Sequence, residues 1–379
     1  MPVISGARIG LHPSSTRLVF ELDRTVPYKI FTLSDPFRVV IDFPEITWRV
    51  PAARMRASVG LVSGFRFGLF QPGNSRVVVD VNVPTAVANH FILPPKGDKP
   101  RRFVVDLKSV PRKAFFSGSR KFQSKGWTKR KRLSKPTTSV SKSRRSGDSR
   151  RVIVLDPGHG GIDPGTVGVT GSYEKRLTLA VAKAAKKVLE ASGRYRVVMT
   201  RTRDVYVRLR DRFEIAHRNK AEMFISLHAD SIGSKNIRGG SVYTLSNKAS
   251  DKEAEDLANK ENKSDILAGE DLTKYPSEVS RVLIDLAQSD TNRESWHLAK
   301  MLVGELKKSI KLLRTSHRYA GFAVLKSPNV PSALIELGYL SNRTDEKKLK
   351  SPQYRRDIGR ALLRAADRYF KRKELHNRS

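Results

Sequence analysis

The sequence predicts an all-β sandwich at the N-terminus and, behind it, an α/β domain with a mainly parallel, twisted sheet flanked by helices. Three observations support this fold class. Residues 1–107 consist of short β-rich runs without helical period, residues 108–150 are basic and poor in apolar side chains, and from residue 151 β-branched runs alternate with helical segments. A chain of 379 residues is long enough to bury two cores.

Composition limits the chemistry that the chain can perform. Cysteine is absent, which excludes disulfides, thiol catalysis and thiolate zinc sites, so any metal must be held by His, Asp or Glu. The formal net charge of +36 predicts attraction to a polyanion. Composition does not distinguish nucleic acid, an anionic membrane and an acidic cell-wall polymer. No apolar run reaches the roughly 18 residues of a membrane-spanning helix.

The N-terminal region, residues 1–107, contains an internal repeat. The runs at residues 17–23 and 37–43 are echoed by runs at 76–82 and 102–107, each rich in Val, Leu or Phe and ending in or near an acidic residue. Two copies of one β unit predict a pseudo-symmetric sandwich. Chance similarity between β-rich segments is the alternative.

Residues 108–150 are predicted to be a disordered basic linker. From Lys108 to Arg151 there are sixteen Lys or Arg against the single acid Asp148, and apolar periodicity is lacking. Such a linker would be either an electrostatic tether to a polyanion or a soluble spacer extended by its own charge.

The α/β domain is predicted to cover residues 151–375. Its strands and helices alternate up to residue 245, a long polar and helical region follows to about residue 311, and the chain then returns to a strand and a final helix. The predicted strands are 152–155, 195–200, 223–227, 240–245 and 332–336, and the predicted helices include 177–191, 209–219 and 354–372.

Polar side chains follow three of these strands at the point where each ends. His159 comes just beyond the first, His228 directly follows the run at 223–227, and Glu336 ends the last. Since ligands bind at the carboxyl ends of parallel strands, we expect these groups to meet, with Glu174 close enough to join them. Two His and a carboxylate with an open fourth position form a catalytic site for one zinc ion. The glycine-rich turn could instead cradle a phosphate, and Glu174 could pair with neighbouring cations.

Four motifs resemble the zinc-dependent N-acetylmuramoyl-L-alanine amidases of type 3 that act in bacterial cell division. They are residues 154–161 (VLDPGHGG), 174–175 (EK), 225–230 (ISLHAD) and 334–342 (LIELGYLSN), within a resemblance spanning residues 151–372. The resemblance implies that His159, Glu174 and His228 bind zinc and that Glu336 acts as general base on the hydrolytic water. The implied reaction cleaves the amide between N-acetylmuramic acid and L-alanine of the peptidoglycan stem peptide.

Residues 1–107 resemble the AMIN domain, which implies binding to peptidoglycan and recruitment of a periplasmic enzyme to the division septum. Residues 1–5 do not look like a secretory leader, so we expect the true start to lie upstream or the export route to be unrecognised. We expect a monomer without specific nucleic-acid binding. The alternatives are a non-catalytic scaffold that binds a polyanion or the cell wall, and a nucleic-acid module.

The region 247–290 is predicted to be a regulatory insert. In a helix from Asp251 to Leu267, the spacing puts Glu261 on one face with three apolar residues, Ala254, Leu257 and Ala258. A buried carboxylate requires a cation. Similar division amidases carry an occluding helix whose acidic residue occupies the zinc, which implies that Glu261 is autoinhibitory; a surface helix with Glu261 paired to a Lys is the alternative.

A second amphipathic helix is predicted after the first. It carries apolar residues at helical spacing, namely Val279, Val282, Leu283 and Leu286. These residues could pack in the core. The resemblance implies instead that an activator with a LytM-type domain docks here and draws the inhibitory helix away.

Overall fold

The computed structural model describes residues 1–34, 36–50, 58–117, 122–124, 127, 149–269 and 281–376, giving only the backbone of residues 116–117 and 281–289. The chain divides into two compact units, one built mainly from residues 1–144 and the other mainly from residues 145–379. Each unit has a hydrophobic core of its own. The predicted combination of an all-β unit with an α/β unit is confirmed.

The N-terminal unit is a sandwich of two five-stranded sheets. Its described strands are β1 (Val3–His12), β2 (Ser15–Leu22), β3 (Lys29–Leu33), β4 (Arg38–Pro44), β5 (Thr47–Trp48), β6 (Val62–Gln71), β7 (Asn74–Val81), β8 (Thr85–Leu93), β9 (Arg101–Ser109) and β10 (Phe122–Gln123). The strand orders are β5-β1-β2-β9-β8 and β10-β3-β4-β7-β6. Leu18, Phe20 and Leu22 of β2 point into the core at every second position, as the alternating sequence predicts.

The repeated runs form the centre of both sheets. The first copy supplies β2 and β4, and the second supplies β7 and β9. Strand β2 pairs antiparallel with β9 in one sheet, and β4 pairs antiparallel with β7 in the other. Each copy therefore contributes one central strand to each sheet, which is the arrangement expected of a pseudo-symmetric sandwich.

Regular structure extends into the first part of the predicted linker. Strand β9 continues to Ser109, helix α1 covers Arg112–Ser117, and β10 pairs with β3. The ring of Phe115 is buried and lies 5.0 Å from that of Phe37. The prediction that order ends at residue 107 is corrected here, because an aromatic side chain among the basic residues finds an apolar partner in the sandwich. Most of the remaining linker, residues 128–148, lies outside the described residues.

The C-terminal unit is a six-stranded sheet covered by helices. Its described elements are β11 (Arg151–Pro157), α2 (Glu174–Ala191), β12 (Tyr195–Met199), α3 (Leu209–Arg218), β13 (Met223–His228), β14 (Gly240–Leu245), α4 (Lys252–Glu261), α5 (Ser264–Leu267), α6 (Arg281–Leu306), β15 (Leu312–Ala320), β16 (Ser332–Glu336), α7 (Arg343–Lys350) and α8 (Pro352–His376). The strand order is β12-β11-β13-β16-β14-β15. All neighbours run parallel except β14 and β16.

Helices cover both faces of this sheet. Ile153 and Leu155 of β11 pack in the cluster that contains buried residues of α2, α6 and α8, whereas Val152 and Val154 pack in the cluster that contains residues of α3 and α4. Successive side chains of a strand point to opposite faces, so the β-branched run of β11 is buried on both sides. None of the described helices combines the length and apolarity that a membrane span needs.

Three elements differ from the sequence prediction. Strand β15 and helix α7 were not predicted; β15 is an edge strand of largely polar sequence, so it lacks the apolar alternation of a core strand. The helix predicted from Asp251 to Leu267 is divided into α4 and α5. Asn262 ends α4 because its side chain donates to Gly321 O and accepts from Ala323 N, both at 2.8 Å.

Candidate metal centre

Neighbouring strands bring the predicted site residues to one edge of the sheet. Strands β11, β13 and β16 lie side by side and run parallel, and His228 is the register partner of Glu336. His159 follows β11 by two residues. The strand ends therefore meet as the sequence predicts for an open α/β sheet.

Glycines in the adjoining loops make space for the two imidazoles. A Cβ on Gly158 would overlap the His228 ring, and a Cβ on Gly165 would lie 2.6 Å from His159 Cδ2 and 2.7 Å from Glu174 Oε2. Gly165 also has φ +64°, a conformation that costs other residues energy. His159 itself is left-handed with φ 59°, which a non-glycine residue adopts only when its surroundings enforce it.

The three predicted ligands converge. One ring nitrogen each of His159 and His228 and a carboxylate oxygen of Glu174 all lie within 4.8 Å of one another, and the three residues are buried. Glu174 Oε1 is 3.2 Å from His159 Nε2 and 3.4 Å from His228 Nδ1. Burial would raise the pKa of Glu174, but the two imidazoles hold it well below its ordinary value, so this carboxylate is charged at neutral pH.

Glu174 is held in place by backbone donors. It is the first residue of α2, and its Oε2 accepts a hydrogen bond from Thr166 N at 2.9 Å. Its Oε1 accepts one from Ala229 N, the residue after His228, at 2.8 Å. The carboxylate therefore ties the loop before α2 to the end of β13, which fixes its oxygens beside the imidazoles.

Glu261 reaches the same point from the last residue of α4. Its Oε2 lies 3.4 Å from His159 Nε2 and 3.2 Å from His228 Nδ1. Burial raises the pKa of Glu261, an effect that the two imidazoles partly offset. The predicted buried face of this helix, Ala254, Leu257, Ala258 and Glu261, is the face that the structure buries.

The spacing of these donor atoms fits a zinc ion. Four distances between nitrogen and carboxylate oxygen, two from Glu174 and two from Glu261, lie between 3.2 and 3.4 Å. Tetrahedral zinc with bonds of about 2.0–2.1 Å to N and O ligands has neighbouring ligands about 3.3–3.4 Å apart. The donor set, two imidazoles with carboxylates and no thiolate, is also one that zinc accepts.

Little space remains beside the ligands. His159, His228 and Glu261 help to line a cavity of about 10 Å³. A single water molecule requires roughly that much space. Beside these three side chains the cavity therefore has room for about one water molecule.

Glu336 lies beside the ligands without belonging to them. It is fully buried, its Oε2 accepts a hydrogen bond from Asp230 N at 2.9 Å, and its Oε1 has no hydrogen-bond partner among the described residues. Burial raises the pKa of Glu336 well above its usual range, and the charges of Glu174 and Asp230 raise it further. A buried carboxyl group with a raised pKa is the kind of group that general acid–base catalysis uses.

Sequence reasoning missed two contacts that hold the helical insert against the site. Lys260 Nζ donates to Asp230 Oδ1 and, at 2.9 Å, to Thr166 Oγ1, which itself donates to Asp230. In α5, Asp265 Oδ1 accepts from the Tyr206 hydroxyl and, at 3.0 Å, from Leu209 N at the start of α3. The pairing of Lys260 has no signature in the sequence, because six of the ten residues of α4 are charged.

The residues predicted to bind an activator are described only in part. Val279 lies outside the described residues. The other three, Val282, Leu283 and Leu286, lie in α6, of which only the backbone is described at these positions.

Comparisons with known proteins identify the two domains of this chain. Residues 153–368 match the family model described as N-acetylmuramoyl-L-alanine amidase, and residues 8–107 match the AMIN domain. The amidase AmiC of Neisseria meningitidis serogroup B is 34% identical over 97% of this chain and 90% of its own length. AmiC of Escherichia coli O6:H1 is 32% identical over 97% of the chain and 89% of its own length. AmiA of Escherichia coli K12 is 40% identical over 61% of the chain and 80% of its own length.

The family match covers more than half of the chain, and the two AmiC proteins align with almost all of it. The predicted resemblance of residues 151–372 to amidases and of residues 1–107 to the AMIN domain is thereby confirmed. This chain therefore belongs to the N-acetylmuramoyl-L-alanine amidase family and carries an AMIN domain ahead of its catalytic domain.

Proposed function

We propose that this chain hydrolyses the amide between N-acetylmuramic acid and L-alanine of the peptidoglycan stem peptide, using one zinc ion held by His159, Glu174 and His228. The observation that carries this proposal is the convergence of three buried donor groups at the carboxyl edge of a parallel sheet. The reaction is the one that the names of the related AmiC and AmiA proteins state.

The zinc ion, when bound, supplies Lewis-acid polarisation of the amide carbonyl and lowers the pKa of the attacking water. Glu336 is the base in this proposal. Its free Oε1 accepts the proton from the water and delivers it to the leaving nitrogen, while Asp230 N holds the other oxygen. The buried site excludes bulk water, which strengthens each of these interactions.

The purified full-length protein tests this proposal on isolated sacculi. We expect a bound metal by elemental analysis, and release of free stem peptides once the site is open, for example with residues 247–290 removed. A chelator should stop the release, and added zinc should restore it. A protein that binds sacculi, holds no metal and releases no peptide in either form would be a wall-binding scaffold instead, and the proposal would fail.

The second part of the proposal is autoinhibition. Glu261 occupies the position beside both imidazoles that the water and the substrate carbonyl need, and the cavity beside it has room for about one water molecule. A carboxylate facing a dication and two ligand imidazoles is strongly attracted to them. The helix that carries Glu261, α4, is here called the latch helix.

Two further contacts support a closed resting state. Lys260 pairs with the buried Asp230, and Asp265 accepts two hydrogen bonds from the region that begins α3. These contacts lie on either side of Glu261 in the sequence. Together they resist rotation of the latch helix out of the site, so opening requires an outside source of free energy.

A partner protein supplies that free energy in this proposal. An activator with a LytM-type domain binds the apolar residues of the insert, Val279, Val282, Leu283 and Leu286, and stabilises the open state. Their helical spacing in the sequence supports an amphipathic docking face. The activator need only bind the open state more tightly than the closed one.

The AMIN domain is proposed to bind peptidoglycan and bring the enzyme to the division septum in the periplasm. The match of residues 8–107 to this domain and the net charge of +36, which favours an acidic wall polymer, support this role. Removing residues 1–107 from a fluorescent fusion should disperse it around the cell while peptide release in vitro is kept. Unchanged septal fluorescence would contradict the recruiting role.

A further inference from the structure

Two buried guanidinium groups hold the loop that carries His159 through its backbone carbonyls. Arg201 follows β12, Arg212 lies in α3, and both are about 2% exposed or less. We propose that Arg212, assisted by Arg201, is a positioning residue that sets the His159 ring for metal binding. This inference rests on the proposed zinc site.

The guanidinium groups bind three successive carbonyls of the loop. Pro157 O accepts from Arg201 Nε at 2.9 Å and from Arg212 Nη1 at 3.1 Å. Gly158 O accepts from Arg201 Nη2 at 2.9 Å, and His159 O accepts from Arg212 Nη2 at 3.0 Å. Each backbone carbonyl from Pro157 to His159 therefore accepts a hydrogen bond from an arginine side chain.

The loop needs this support because it has left the sheet. Its last ladder bond runs from Gly158 N to Leu227 O at 2.9 Å. His159 and Gly160 then take φ values of 59° and 132°, which no strand or helix stabilises. A change of these angles would swing the imidazole away from Glu174 and His228, so a bond to the His159 carbonyl directly controls where its Nε2 points.

Asp156 fixes Arg212 in turn. Asp156 Oδ1 accepts from Arg212 Nη1 at 2.8 Å and from Thr200 Oγ1 at 2.6 Å, and its Oδ2 accepts from Ser226 Oγ at 2.7 Å. Both partners of this ion pair are almost fully buried. A planar guanidinium can bind a carboxylate and two carbonyls at once from fixed directions, which a lysine ammonium cannot reproduce.

The test compares Arg212→Lys with wild type in the full chain. We expect zinc affinity, measured by competition with a chromophoric chelator, to weaken by about 10- to 100-fold, as is usual for groups that orient a ligand. The visible spectrum of the cobalt-substituted protein should change as well, because the ligand geometry changes. The matched control is Arg218→Lys, at an exposed position of the same helix. It should leave the zinc affinity and the cobalt spectrum unchanged.

A folded Arg212→Lys protein with wild-type zinc affinity and a wild-type cobalt spectrum would overturn the inference, even if its melting temperature falls. If this variant does not fold, Asp156→Asn keeps the side-chain volume and an acceptor for Thr200, lets the Ser226 hydroxyl accept instead of donate, and removes the charge that holds Arg212. The same weakening of zinc affinity is expected there. Failure of wild type to bind zinc would instead contradict the proposed function, so the two failures are distinct.

Discussion

A Glu336→Gln variant is expected to lose about 10²- to 10⁴-fold in turnover on purified peptidoglycan, the usual effect of removing a general base. The amide of glutamine cannot take up the proton of the attacking water at neutral pH. The change is nearly isosteric, and Glu336 is not one of the three grouped ligands, so the zinc content should stay at one ion per chain. Stem-peptide release is measured on the protein with residues 247–290 removed, and elemental analysis gives the zinc content.

The matched control for this variant is Glu214→Gln, which makes the same chemical change on α3 at a partly exposed ion pair. It should release peptides at the wild-type rate. If Glu336→Gln keeps zinc and full turnover, Glu336 is not the base. If it loses zinc together with activity, the experiment points to a ligand or structural role.

A Glu261→Ala variant is expected to raise the basal peptide release of the full-length protein in the absence of any activator. If this buried charge contact contributes as much as a hydrogen bond to a charged group, roughly 1.5–3 kcal/mol, its loss makes the open population about 10- to 100-fold larger. The cause is the loss of the carboxylate oxygen that lies between the two imidazoles. Initial rates on sacculi, at equal zinc loading, provide the measurement.

Glu255→Ala is the control for the latch, because Glu255 is exposed on the same helix and pairs only with the exposed Lys252 among the described contacts. Its basal rate should equal that of wild type. An unchanged rate for Glu261→Ala would mean that the latch helix does not limit access. The double variant with Glu336→Gln should be inactive, since an open site does not replace the base.

The sequence alone determined the fold class and named the candidate ligands that the structure groups together. Period-two runs and β-branched runs predicted five of the six described strands of the α/β sheet, and the absence of cysteine restricted any metal to His and carboxylate ligands. The positions of His159 and His228 at the ends of β11 and β13 predicted that they would meet, because the carboxyl ends of parallel strands lie at one edge of the sheet. Helical spacing also placed Glu261 on the buried face of α4, where the structure has it.

Only the tertiary structure decided which residues support that set. Arg212 is an ordinary arginine in a helix with several charged neighbours, yet it is buried against Asp156, which lies in another element. Lys260 precedes Glu261 in a charged helix, and its pairing with Asp230 depends on how α4 packs against the end of β13. The edge strand β15 was missed because its sequence lacks an alternating apolar pattern. It is a strand because it pairs with β14. Local periodicity reports which face of an element is buried, whereas partners distant in sequence are set by the packing of whole elements, which no single segment encodes.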